Sequence, residues 1–179
     1  MEKDTLLVVV LAKEEDVACH YPPSHGRLQV EYVVVEGNSF ALAEACRALN
    51  WHKYRYRLLA GCGAVCDKLL QVQLISKFAC SAVFMQAPQL SCYRSWGNDE
   101  YEALLAADPA LTFSCGVGDI PAGDAVRDFC GPASEYGLDL RIIWNDGAET
   151  YPADHASLIE AFVAESIAIT NRSTAGRAN

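Results

Sequence analysis

Short apolar runs alternate with segments of helical periodicity, and this alternation constrains the fold more than any other feature of the chain. The first run, Thr5 to Ala12, is continuously apolar, as expected of a strand buried on both faces. Further strand-like runs cover 28–36, 55–60, 81–87, 111–115 and 139–144. Helical patterns cover 39–50, 64–78, 98–107, 121–136 and 152–167. The pattern predicts an α/β fold, a three-layer sandwich with a mostly parallel sheet of about six strands and helices on both faces.

Only a polar stretch with Pro22-Pro23 separates the first two strand-like runs. Since no helical pattern lies between them, we expect these two strands to pair antiparallel. No linker or repeat divides the chain, so residues 1–170 are predicted to form a single α/β domain. Residues 171–179 are polar and are expected to form a flexible tail.

The composition excludes several classes of protein. The formal net charge is −9, which disfavours binding to nucleic acid. The start of the chain lacks a basic segment, and no apolar run approaches the roughly 20 residues of a membrane span. We therefore expect a cytoplasmic protein with no membrane contact, whose eight cysteines are free thiols and mostly core residues. An exposed edge strand would allow a homodimer.

A histidine and a cysteine each lie beside a strand-like run. His25 belongs to the segment Ser24-His25-Gly26, and Cys62 to the segment Ala60-Gly61-Cys62-Gly63. Cys62 stands between a strand and a helical pattern, where an imidazole and a helix N-terminus would both favour the thiolate. Gly61 and Gly63 would let the backbone turn sharply, and N–H groups there would form an oxyanion hole. The pair therefore predicts a nucleophilic site.

These segments resemble those of caspase-like cysteine peptidases, including the CHAT type, over residues 5 to 90. That family carries a His-Gly after one strand and a Cys after the next parallel strand. The resemblance implies a cysteine hydrolase in which Cys62 is the nucleophile and His25 the general base, with a peptide or small molecule as substrate.

Two other interpretations stay open. In the first, the domain is a non-catalytic small-molecule or nucleotide-binding module that uses Gly61, Gly63, Glu36 and Asp119 at the carboxyl ends of the strands. The dinucleotide fingerprint lacks its third glycine, so no cofactor is indicated.

In the second, the run Val35-Glu36-Gly37-Asn38-Ser39 is similar to the first acidic motif of PIN-like or NYN-like nucleases, and Asp119 to a later acidic loop. That resemblance implies a metal-dependent nuclease whose carboxylates, with those of Asp124 and Asp146, hold Mg²⁺.

Overall fold

Six strands form one fully parallel sheet in the computed structural model, which describes residues 3–12, 27–75, 78, 80–146 and 155–176. The order of the strands across the sheet is β2-β1-β3-β4-β5-β6. Their bounds are β1 Thr5–Leu11, β2 Leu28–Val34, β3 Tyr56–Cys62, β4 Ala82–Gln86, β5 Ala110–Gly116 and β6 Leu140–Asn145. The strand order reverses direction between β1 and β3, which makes this the topological switch point of the sheet.

Five α-helices connect or follow the described strands. They are α1 Ser39–Ala48, α2 Val65–Val72, α3 Asn98–Ala107, α4 Ile120–Glu135 and α5 His155–Gly176. Either Asn38 or Ser39 could cap α1 on sequence grounds, and Asn38 does so, because its side chain accepts hydrogen bonds from the amides of Phe40 and Ala41. The backbone of α5 continues six residues into the segment predicted to be a polar tail.

The expected antiparallel pairing of the first two strands is wrong. β1 and β2 are parallel, with Thr5 level with Leu28 and Leu11 level with Val34. Sixteen residues separate the two strands. A connection of that length can carry the chain back to the end of the sheet where β1 begins, which a parallel pair of strands requires.

The helices cover both faces of the sheet, as the sequence predicts. The connections from β2 to β3 and onward to β6 all advance across the sheet in one direction, so right-handed crossovers place α1 to α4 on a single face. The core on that face includes Leu42 of α1 and Phe129 of α4. On the opposite face, Ile159 and Phe162 of α5 pack against residues such as Phe84.

Candidate functional site

A cleft of about 660 Å³ opens at the carboxyl ends of β3, β4 and β5. We call it the carboxyl-edge cleft. Its walls are the first turns of α2 and α4 and the loop that follows β4. The lining side chains and backbone belong to residues 62–64, Asp67, residues 87–91, Arg94, Asp119, Pro121, Ala122 and Ala125. Among the sequence-predicted site residues, Cys62, Gly63 and Asp119 therefore meet at this cleft.

Cys62 is the last residue of β3, two residues further along the strand than the sequence indicates, and is partly exposed. The turn into α2 passes through Gly63, whose φ of +66° favours glycine. Gly61 is needed for a different reason, because a Cβ there would lie 2.7 Å from Cγ2 of Val65. The two glycines thus bring the start of α2 close to the strand and place Cys62 at the mouth of the cleft.

The N–H group of Gly63 is not available for an oxyanion hole. It donates a hydrogen bond to the carbonyl oxygen of Gln86 at 3.0 Å, and the carbonyl of Gly63 accepts from the amide of Gln89 at 3.1 Å. These two bonds join the turn before α2 to the end of β4. In the first turn of α2, the amide of Cys66 donates to the carbonyl of Gly63 at 3.2 Å, so the amides at the very start of the helix, before Cys66, are the ones left for a ligand.

Asp67 of α2 binds the loop that follows β4 and so fixes that wall of the cleft. Its Oδ1 accepts hydrogen bonds from the backbone amides of Ser91, at 2.8 Å, and Cys92, at 3.2 Å. Its Oδ2 accepts from the Ser91 hydroxyl. Asp119 has a comparable role at α4, where it caps the helix by accepting from the amide of Ala122 at 3.2 Å.

Three other thiols near the cleft are buried and held in the protonated form. Burial raises the pKa of Cys66 well above its ordinary value, and the nearby Cys62 thiol adds to the effect. Burial and then Asp67 raise the pKa of Cys92 to about 12, and burial and then Asp119 raise that of Cys115 to about 11. Since the thiolate is the nucleophile, these three thiols are poorly suited to react near neutral pH. None of the seven described cysteines forms a disulfide.

His25, the predicted general base, lies outside the described residues. Arg27, two residues further along the chain, is described, and its carbonyl accepts a hydrogen bond from the amide of Thr5 at the amino end of the sheet. Thr5 is level with Tyr56, and Cys62 lies six residues further along β3. That separation is about 20 Å along the strand direction. The pairing of His25 with Cys62 stays a prediction.

The acidic residues proposed for a nuclease lie apart. Glu36 follows β2 and Asp119 follows β5, four strands away, which is about 19 Å across the sheet. Asp124 forms an exposed ion pair with Arg127 on α4. Within the described ranges, no three His, Cys, Asp or Glu side chains come close enough to share a metal ion. No described helix is both long and apolar enough to cross a bilayer.

Sequence reasoning missed a set of polar side chains at the same sheet edge, on the face that α5 covers. Gln86 and Ser114 are almost completely buried, and the amide of Asn145 donates to the Ser114 hydroxyl at 2.9 Å. The signal for them is a polar residue near the end of a strand that is otherwise apolar on both faces. Only the register of the sheet places them side by side.

Comparison with known proteins identifies the fold but not the activity. The chain resembles a crystal structure of an uncharacterized protein from Bacillus cereus ATCC 10987, with a TM-score of 0.71 and 12% sequence identity. The match covers 92% of this chain and 60% of the other, so the chain spans about three-fifths of that protein. No protein-family model matches the chain, and no curated protein matches it significantly.

Proposed function

We propose that this protein binds a small polar molecule, such as a nucleotide, in the carboxyl-edge cleft. The observation that carries the proposal is the cleft itself, at about 660 Å³. Sites for small molecules commonly measure about 300–1,000 Å³. In open parallel sheets such sites lie outside the carboxyl ends of the strands, where this cleft is found.

One part of the cleft, between the N-terminus of α2 and Arg94, suits an anionic group of a ligand. The first turn of α2 presents backbone amides and the positive end of its helix dipole, and Arg94 adds a cation. The first turn of α4 adds little, because the amides of Ala122 and Gly123 donate to Asp119 and Pro121 has no N–H. The carboxylate of Asp67 already accepts three hydrogen bonds from the loop after β4, and Asp119 caps α4. An anionic group would therefore lie at the N-terminal end of α2, on the side of Arg94.

Filling the cleft tests this proposal. Ala64 lines the cleft and is exposed, so Ala64→Trp should occupy the space without disturbing the core. Melting curves with adenosine monophosphate and NAD as probes should show a shift for the wild-type protein that Ala64→Trp abolishes. The matched control is Ala106→Trp on the exposed surface of α3, which should respond like the wild type. Equal shifts in Ala64→Trp and the wild type would place binding elsewhere.

A second candidate is a cysteine hydrolase, and one observation favours it. Cys62 is partly exposed and lines the cleft, whereas Cys66, Cys92 and Cys115 around it are buried. A thiol at the end of a strand, directly before a helix N-terminus, has a setting that favours the thiolate.

Alkylation distinguishes the two candidates. A catalytic Cys62 should react with iodoacetamide near neutral pH far faster than the other seven thiols and faster than glutathione. The modified cysteine can be located by peptide mass spectrometry. A rate equal to that of glutathione would exclude an activated nucleophile and leave the binding proposal standing.

A further inference from the structure

A row of polar side chains crosses the carboxyl end of the sheet on the face that α5 covers. Cys62 is level with Gln86 on the next strand, and Gln86 is level with Ser114 on the strand after that. Ala60 and Phe84, two residues earlier on their strands, belong to the core against α5, so strand alternation directs Cys62 and Gln86 to the same face. We call these three residues and Asn145, which bonds to Ser114, the polar row.

Gln86 is the unusual member of the polar row. It is 1% exposed, and neither Nε2 nor Oε1 has a hydrogen-bond partner among the described residues. Gln73 provides a comparison within the same protein. It is also 1% exposed, but its Nε2 donates to the carbonyl of Leu69 at 2.9 Å and its Oε1 accepts from Cys80 at 2.8 Å.

A buried amide without partners is destabilising, and native proteins hold few of them. The preceding residues of β4, Phe84 and Met85, show that apolar side chains fill this strand without that penalty. A glutamine at this position is therefore explained better by a role in binding than by a role in folding. Its donor and acceptor lie one strand away from Cys62, which also lines the carboxyl-edge cleft.

We infer that Gln86 recognises a carboxamide-like group of the ligand, meaning a group that carries an acceptor and an N–H donor side by side. This inference rests on the proposed binding function. Such a group satisfies both atoms of the Gln86 amide at once, as the edge of a nucleobase or a primary carboxamide does. A carboxylate would leave Oε1 unpaired, because it offers acceptors only. Gln86 is 1% exposed and does not itself line the carboxyl-edge cleft, so the ligand has to reach its amide from beside Cys62, the partly exposed member of the polar row.

Two alkylating probes that differ only in the amide test the inference. Iodoacetamide carries a primary carboxamide, and 2-iodo-N,N-dimethylacetamide carries a tertiary one without N–H donors. With either probe, the sulfur of Cys62 displaces iodide from the CH₂ carbon and the thiol proton passes to the buffer. The measured quantity is the ratio of the two rates at Cys62, divided by the same ratio for glutathione. One additional hydrogen bond to Oε1 should raise this normalised ratio to about 5 in the wild type.

Gln86→Met should return the normalised ratio to about 1, whereas Gln73→Met should keep the wild-type value. Melting temperatures supply the second readout. Gln86→Met should melt at or above the wild-type temperature, because it removes an unpaired buried amide, and Gln73→Met should melt lower. A wild-type ratio near 1, an unchanged ratio in Gln86→Met, or a melting temperature lowered as much as in Gln73→Met would overturn the inference. In any of these cases, melting shifts abolished by Ala64→Trp would still support the binding cleft.

Discussion

Gly61 lies where β3 contacts α2, and no side chain larger than a hydrogen atom fits there. A Cβ there would approach Cγ2 of Val65 to 2.7 Å, Cδ1 of Leu69 to 3.1 Å and the backbone oxygen of Val10 to 3.3 Å. We expect Gly61→Ala to lower the free energy of unfolding by about 1–3 kcal/mol, since the helix has to move away from the strand. Urea denaturation at neutral pH measures the change.

Gly131 in α4 is the matched control. A Cβ added there meets no atom within 4 Å, and its φ is not positive. Alanine should therefore stabilise the helix at this position by about 0.5–1 kcal/mol. If both variants shifted the unfolding midpoint in the same direction, close packing at Gly61 would not be the reason for that glycine.

The capping of α1 by Asn38 leads to a prediction about the stability that one helix cap contributes. Oδ1 of Asn38 accepts hydrogen bonds from the amides of Phe40, at 3.1 Å, and Ala41, at 3.4 Å. Asn38→Ala should cost about 1 kcal/mol of stability, because these amides lose their acceptor. Asn38→Asp keeps an acceptor and should stay near the wild-type value. A loss of equal size in both variants would contradict a capping role.

The elements also show what sequence patterns can and cannot predict. A cap at Asn38 or Ser39 was predictable because capping depends on neighbouring residues only, and the structure has it at Asn38. The predicted helix at 64–78 was too long, and α2 ends at Val72, after which Leu74 and Ile75 make turns of the tighter i+3 type. Ile75 and Phe78 still pack on the core, so the apolar pattern continues beyond the helix. Periodicity reports burial, and it does not report which backbone hydrogen bonds form.

The candidate site, too, was predictable from the sequence only in part. Cys62 was predictable from its setting between an apolar run and a helical pattern. β3 was expected to end at Ala60, but Gly61 and Cys62 pair with Met85 and Gln86 of the next strand. Such pairing overrides the weak strand preference of glycine. The polar row depends on this register between strands, which local patterns do not carry.

The buried thiols predict how the stability of the whole protein depends on pH. Burial raises the pKa of Cys46 to about 12, and that of Cys130 to about 11, from an ordinary value of 9.0. The pKa values of Cys92 and Cys115 are raised similarly. The unfolded chain loses these protons above about pH 9, while the folded chain keeps them until pH 11–12. Stability should therefore be unaffected below pH 8 and fall as the pH rises from 9 towards 12.

Removing one thiol tests this explanation. Each buried thiol contributes about 1.4 kcal/mol per pH unit to the slope in that window. Cys46→Ala should lower stability at pH 7 through the cavity it leaves, yet show a shallower decline between pH 9 and 10.5. Urea titrations at pH 7, 9 and 10.5 measure both quantities. If the stability of the variant and of the wild type declined with the same slope, Cys46 would not contribute to the pH dependence.

The position of α5 has a consequence for how the protein is made. Strands β1 to β6 are complete at Asn145, but the apolar face that includes Leu7, Val9 and Phe84 is packed by residues between Ile159 and Ser166. A ribosome adding about 5–20 residues per second needs about 1–4 s to cover that interval. Because β6 leaves the ribosome before α5 does, the hydrophobic face of the sheet lacks its covering helix until α5 follows, and in that interval it is a substrate for chaperones and for aggregation alike.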